Sequence, residues 1–123
     1  MKTITVSEAT CLQLDWLVAQ CEGLRVSTRS KLLAVGVFLV SGEGWHAKYT
    51  PFQPTKDWSQ GGPIADQEEI SIDYRDNETQ ARKWMGMDFI EARAGKRQGL
   101  IAAMRCRVLS KLGSTVQVPA ELS

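Results

Sequence analysis

The residues best placed to do chemistry stand together at Asp57-Trp58-Ser59-Gln60-Gly61-Gly62. Trp58 offers an aromatic face on which a planar group can stack. Asp57 or Gln60 could read a ring or ribose edge, and the backbone amides of Gly61 and Gly62 could hold phosphate. The surrounding stretch, Tyr49 to Ile64, carries three of the chain's four prolines. Proline fixes φ and cannot donate to a sheet, so Pro51 and Pro54 predict a stiff extended loop. Gly61-Gly62-Pro63 predicts a turn into a short helix with Pro63 at its first position, where free amides attract an anion. Such a site would take a small, anionic, planar ligand such as a nucleotide derivative. The same residues admit a structural reading, with Trp58 a plug in the core and the glycines mere turn residues.

Arg105 is the second candidate. Gly99 to Leu112 reads as a helix closed by Lys111 and Gly113, with a buried stripe of Ile101, Met104, Val108 and Leu112. An arginine beside that stripe must snorkel, pair with a carboxylate or meet a ligand anion. The single histidine, His46, alternates with apolar residues in a predicted strand from Trp45 to Tyr49 and is expected in solvent. The three cysteines, Cys11, Cys21 and Cys106, cannot all pair within one chain, and no Cys-x-x-Cys unit occurs. Buried free thiols are expected rather than a zinc site. No phosphate-binding P-loop and no paired-carboxylate motif is present. Acid–base chemistry needs groups whose environments push their pKa values apart, and the spacing identifies none. The residues favour binding over catalysis, with no cofactor and no metal.

A chain of 123 residues with 43% hydrophobic and 24% charged residues fits one globular domain, 1–123. A net charge of +1 supplies no global field for nucleic acid or a membrane surface. The longest apolar run, Leu32 to Val40, is too short to span a bilayer, and the first residues lack a signal peptide's apolar stretch. A cytoplasmic protein is expected.

These candidates need elements to hold them. Thr10-x-x-Gln13 fits a capping box opening a helix that runs to about Glu22 and stops at Gly23. Leu14, Leu17, Val18 and Cys21 make one apolar stripe, and Leu12, Trp16 and Ala19 a second on nearly the opposite side. A helix apolar on two faces is sandwiched; the Trp16 face therefore needs a further partner, which could be the proline-rich loop, the last helix or a second subunit, and a homo-oligomer, most simply a dimer, is expected. Short strands are expected at Leu24–Ser27, Lys31–Val40, Ile70–Tyr74 and Lys83–Ile90, with a polar turn at Ser27–Ser30 and a basic loop at Glu91–Gln98. Ala65 to Glu69 suits the first turn of a short helix. With no β-α-β alternation, the predicted fold is α+β: an antiparallel sheet of four to five strands with two long helices packed on one face.

Three blocks of the chain resemble a family of small phage proteins of the NinX type: Leu14-Asp15-Trp16-Leu17-Val18-Ala19-Gln20-Cys21-Glu22-Gly23, Thr55-Lys56-Asp57-Trp58-Ser59-Gln60-Gly61-Gly62-Pro63-Ile64 and Leu100-Ile101-Ala102-Ala103-Met104-Arg105-Cys106. The ending, Ser110-Lys111-Leu112-Gly113 with Val116-Gln117-Val118-Pro119-Ala120-Glu121-Leu122, is similar too. The resemblance implies a phage or prophage origin and action in a bacterial cytoplasm, and brings no established activity. Some other small phage proteins sequester nucleotide signals of host immunity, and the Asp57-Trp58 loop invites that analogy. The alternative is an interaction protein that blocks a host factor through the Trp16 face and the aromatic loop. No basic helix or stripe supports DNA binding.

Overall fold

The computed structural model describes residues 1–30 and 34–122. Eight strands form three antiparallel sheets among these residues. β1 (Lys2–Thr5) pairs with β8 (Thr115–Val118), Lys2 opposite Val118. β2 (Val26–Arg29), β3 (Val35–Ser41) and β4 (Lys48–Pro51) make the second sheet; β5 (Ser71–Tyr74), β6 (Thr79–Met85) and β7 (Asp88–Ala94) make the third. Three α-helices accompany them: α1 (Cys11–Cys21), α2 (Trp58–Gln67) and α3 (Gly99–Leu112).

The α+β class holds, but the expected single sheet of four to five strands with two helices does not. Each three-stranded group is a local meander, and a helix separates one group from the next. The two long helices do not share one face of one sheet either. α3 packs on β5, β6 and β7, whereas α1 packs on β2 and β3, and the two helices meet each other. Small residues permit the close approach of α3 to its sheet: Ala81 and Ala92 on the strands and Ala102 and Ala103 on the helix are all buried.

α1 starts as its sequence predicts. The Thr10 hydroxyl accepts from Gln13 N at 3.3 Å, and Gln13 Oε1 accepts from Thr10 N at 2.9 Å. Leu14, Leu17 and Val18 are fully buried, and Val6, Met104, Val108 and Val118 complete the centre of the core. The two-faced helix is sandwiched, as its stripes require, between its sheet and α3. Trp16 is half-buried and lines a cleft with Leu112, Val116 and Gln117, so its own chain covers part of its face.

Several strand boundaries differ from expectation. Ser27, Thr28 and Arg29 belong to β2 instead of a turn, and the strand expected from Lys31 begins at Val35, with 31–33 outside the described residues. Trp45 lies in a 3-10 turn (Gly44–His46) rather than a strand, and His46 beside it is exposed. Lys83 to Ile90 is not one strand: it doubles back at Gly86-Met87, pairing Trp84 with Phe89 and Met85 with Asp88. Gly86 has φ +70°, and glycine at the first central position is what a two-residue type II′ hairpin turn demands. The first half of the expected loop, Glu91 to Ala94, is therefore the end of β7.

Candidate functional site

α2 is built around its cap. Asp57 Oδ1 accepts from Ser59 N at 2.9 Å and from Ser59 Oγ at 2.6 Å, and these bonds hold its carboxyl below the usual range. The helix thus opens at Trp58, and Pro63 lies inside it, not at its first position. That shift changes the roles available to the glycines. Gly61 N donates to the Asp57 carbonyl at 2.8 Å, so it is an interior helical amide rather than a free donor at a helix start. A Cβ on Gly61 would lie 2.2 Å from the Pro54 carbonyl oxygen and 2.8 Å from Leu100 Cδ2. Glycine is present there because α2 closes against the preceding turn. Gly62 is roomier, its nearest neighbour being Trp58 Cε3 at 3.7 Å.

Gln60 braces the same turn: its Oε1 accepts from Gln53 N at 2.6 Å and its Nε2 donates to the Pro51 carbonyl at 3.0 Å. α1 ties it down from below. Asp15 Oδ1 accepts from Thr55 N at 3.1 Å and from Thr55 Oγ1 at 2.8 Å, with Asp15 only 1% exposed. Burial outweighs those two bonds and pushes the Asp15 pKa up to about 6. Asp57, Ser59, Gln60 and Gly61 are thus engaged in holding the backbone. Trp58 is not: its indole is 53% exposed, which also excludes the core-plug alternative.

The other sequence-predicted residues lie elsewhere. Arg105 Nη1 donates to the Arg93 carbonyl at 2.8 Å and Nη2 to the Ala9 carbonyl at 3.4 Å, and no described hydrogen bond joins it to the Asp57 loop. It is Arg107 that finds carboxylates, Glu68 at 2.8 Å and Glu22 at 3.2 Å, while Lys83 meets Glu68 at 2.7 Å. Glu68 closes the C-terminal end of α2, not the first turn of a helix as expected, and a carboxylate there opposes the helix dipole. The Lys83 bond, with Arg107, holds its pKa below the usual range.

The β6–β7 hairpin tip carries a cluster that sequence reasoning missed. Trp84 is 60% exposed and Met87 98%, with Met85 and Phe89 also exposed beside them. The Trp84 and Phe89 rings meet edge-on, centroids 5.1 Å apart, and the Arg82 guanidinium stands 4.5 Å over the Phe89 ring. Arg82 also reaches Glu91 at 3.3 Å, and Arg75–Asp73 and Arg93–Glu78 pair at 3.0 and 3.4 Å. A shallow cleft of about 150 Å³, lined by Ser71, Asp73, Gln80, Arg82 and Trp84, adjoins the tip. Clefts at the β1–β8 sheet, at Arg105, at Trp16 and at Trp84 are formed by described residues, and Trp58 lines none of these. The signal for the tip was Gly86, a turn residue between two methionines.

No group of three His, Cys, Asp or Glu side chains among the described residues is placed to hold a metal ion. No described helix is long and apolar enough to cross a membrane. Burial raises the Cys106 thiol to about 11, which keeps it protonated and inert. Comparison with curated proteins finds no match. The model of the family described as Bacteriophage P22, NinX matches residues 5–111.

Proposed function

The chain belongs to the phage NinX family, and from that premise we propose that it is a phage-encoded binding protein that engages a host protein through the β6–β7 hairpin tip. One observation carries this reading: Trp84, Met85, Met87 and Phe89 are all apolar and exposed at one hairpin end, with Trp84 and Phe89 paired across it. Aromatic, methionine and arginine side chains are enriched where proteins dock, and a preformed tip loses little side-chain freedom on binding. The ring contact and the stacked Arg82 supply that preorganisation. The neighbouring arginines are paired with carboxylates, so the partner is selected by shape and apolar contact more than by net charge.

Native mass spectrometry of protein purified from infected cells tests it. The parent should retain a stoichiometric host polypeptide, and Met87→Asp and Trp84→Ala should both lose it. Met87→Asp should shift stability by less than about 0.5 kcal/mol, and Trp84→Ala, which gives up the ring contact with Phe89, by about 0.5–1.5 kcal/mol. Retention of the same polypeptide by both variants would sink the reading.

A second reading, sequestration of a small nucleotide-like ligand, is favoured by the half-exposed indole of Trp58 at the start of α2. The Asp57 carboxylate stands where a phosphate would seat, which works against it. The same spectra decide: a bound small molecule lost on Trp58→Ala supports sequestration, and its absence from the parent removes it. They also report subunit number, the open cleft beside Trp16, Leu112 and Val116 being where a second copy would seat.

A further inference from the structure

Arg105 is a half-buried guanidinium with no carboxylate partner among the described residues. Its two described partners are the neutral carbonyls of Arg93 and Ala9, and its Nε is buried with no hydrogen-bond partner among the described residues. The acids closest along the sheet are committed elsewhere: Glu91 pairs with Arg82, and Glu78 with Arg93. Taking a cation partly out of water is unfavourable unless an opposite charge meets it, and neutral carbonyls return only part of that. Burial accordingly lowers the Arg105 pKa from its ordinary value.

The guanidinium also lines a cleft of about 330 Å³ together with Ser7, Glu91, Ala92, Arg93 and Leu109. That volume is at the small end of ligand pockets. Ser7 can donate a hydroxyl, Arg93 adds a guanidinium that an anion would share with Glu78, and Ala92 and Leu109 form an apolar wall. Glu91 also lines the cleft, so its acceptance of Arg82 is needed to keep the space favourable to an anion.

We propose that this cleft, between the segment before α1, β7 and α3, binds the oxyanion of a small phosphate- or carboxylate-bearing molecule, with Arg105 as its principal ligand and Arg93 and Ser7 assisting. The fixed fork of arginine suits either oxyanion, whereas a lysine offers only a point charge. The site is separate from the hairpin tip and does not depend on the docking reading.

The test uses the full chain and two probes, sodium phosphate and sodium acetate, against sodium chloride at matched ionic strength. Heteronuclear NMR titration should show saturable shifts at the amides of Ser7, Arg93 and Arg105 with at least one probe. Phosphate alone would identify a phosphate-bearing ligand, and acetate a carboxylate. Arg105→Lys should weaken the affinity by about tenfold or more. Arg93→Gln, at an exposed position, should weaken it less, and Thr50→Ala, exposed on β4, should leave it unchanged. Shifts with neither probe beyond those of chloride, or equal affinity in parent and Arg105→Lys, would overturn the proposal.

Discussion

Asp15 on α1 receives both the backbone N–H and the hydroxyl of Thr55, and this pair of bonds fastens the turn before α2 to the core. Its carboxyl ionises less readily in the fold than in the unfolded chain, so the native state holds the proton more tightly. The stability this contributes is fully present below pH about 3.8 and is lost as pH rises through about 6. Two pKa units correspond to about 3 kcal/mol. Urea unfolding of parent and Asp15→Asn should therefore diverge between about pH 4 and pH 6, the parent losing about that much relative to the variant. Parallel pH profiles would contradict it.

Gly61 and Gly62, adjacent in one helix, should respond oppositely to the same change. Gly61→Ala forces a Cβ into the Pro54 carbonyl and should destabilise by about 2–4 kcal/mol, in the manner of an overpacked core. Gly62→Ala meets only ordinary contact and should stabilise by about 0.5–1 kcal/mol through helix propensity. Paired thermal melts measure both. Equal shifts would mean that the turn before α2 yields.

Arg107 joins α3 to the C-terminal ends of α1 and α2 through Glu22 and Glu68. Arg107→Ala strands Glu22 and leaves Glu68 with Lys83 alone, and should cost about 3 kcal/mol, whereas Arg107→Met, which keeps the packing, should cost less. Because the pairs are largely shielded from solvent, the loss should persist in high salt. Chemical denaturation at low and high ionic strength distinguishes this from surface ion pairing, which salt would erase.

α1 and α3 were legible because each carries its own punctuation: Thr10 and Gln13 at one start, Lys111 and Gly113 at the other end. For α2 a short helix is expected from Pro63, but its start at Trp58 is not, because Gly61, Gly62 and Pro63 at its centre all disfavour a helix locally. What overrides them is the Asp57 cap and the packing of Gly61 on Pro54, the second of which no window of sequence displays. The hairpin tip was misread for a different reason. Met85, Met87 and Phe89 imitate the alternation of one continuous strand, and only Gly86 betrays the turn. The sequence shows that Arg105 needs a partner, but the partners are main-chain carbonyls, of Arg93 and of the distant Ala9, which no residue type marks.

The β1–β8 sheet joins residues more than a hundred positions apart, Lys2 with Val118 and Ile4 with Val116. Loop-closure entropy must be overcome before such a pairing is rewarded, whereas the β6–β7 hairpin closes over a two-residue turn. Local hairpins and helices are therefore expected to form first and the β1–β8 pair last. During synthesis β1 leaves the ribosome with no strand to pair with until β8 follows. Ile4→Ala and Val116→Ala should accordingly speed unfolding while leaving the folding rate nearly untouched, as late-forming contacts do.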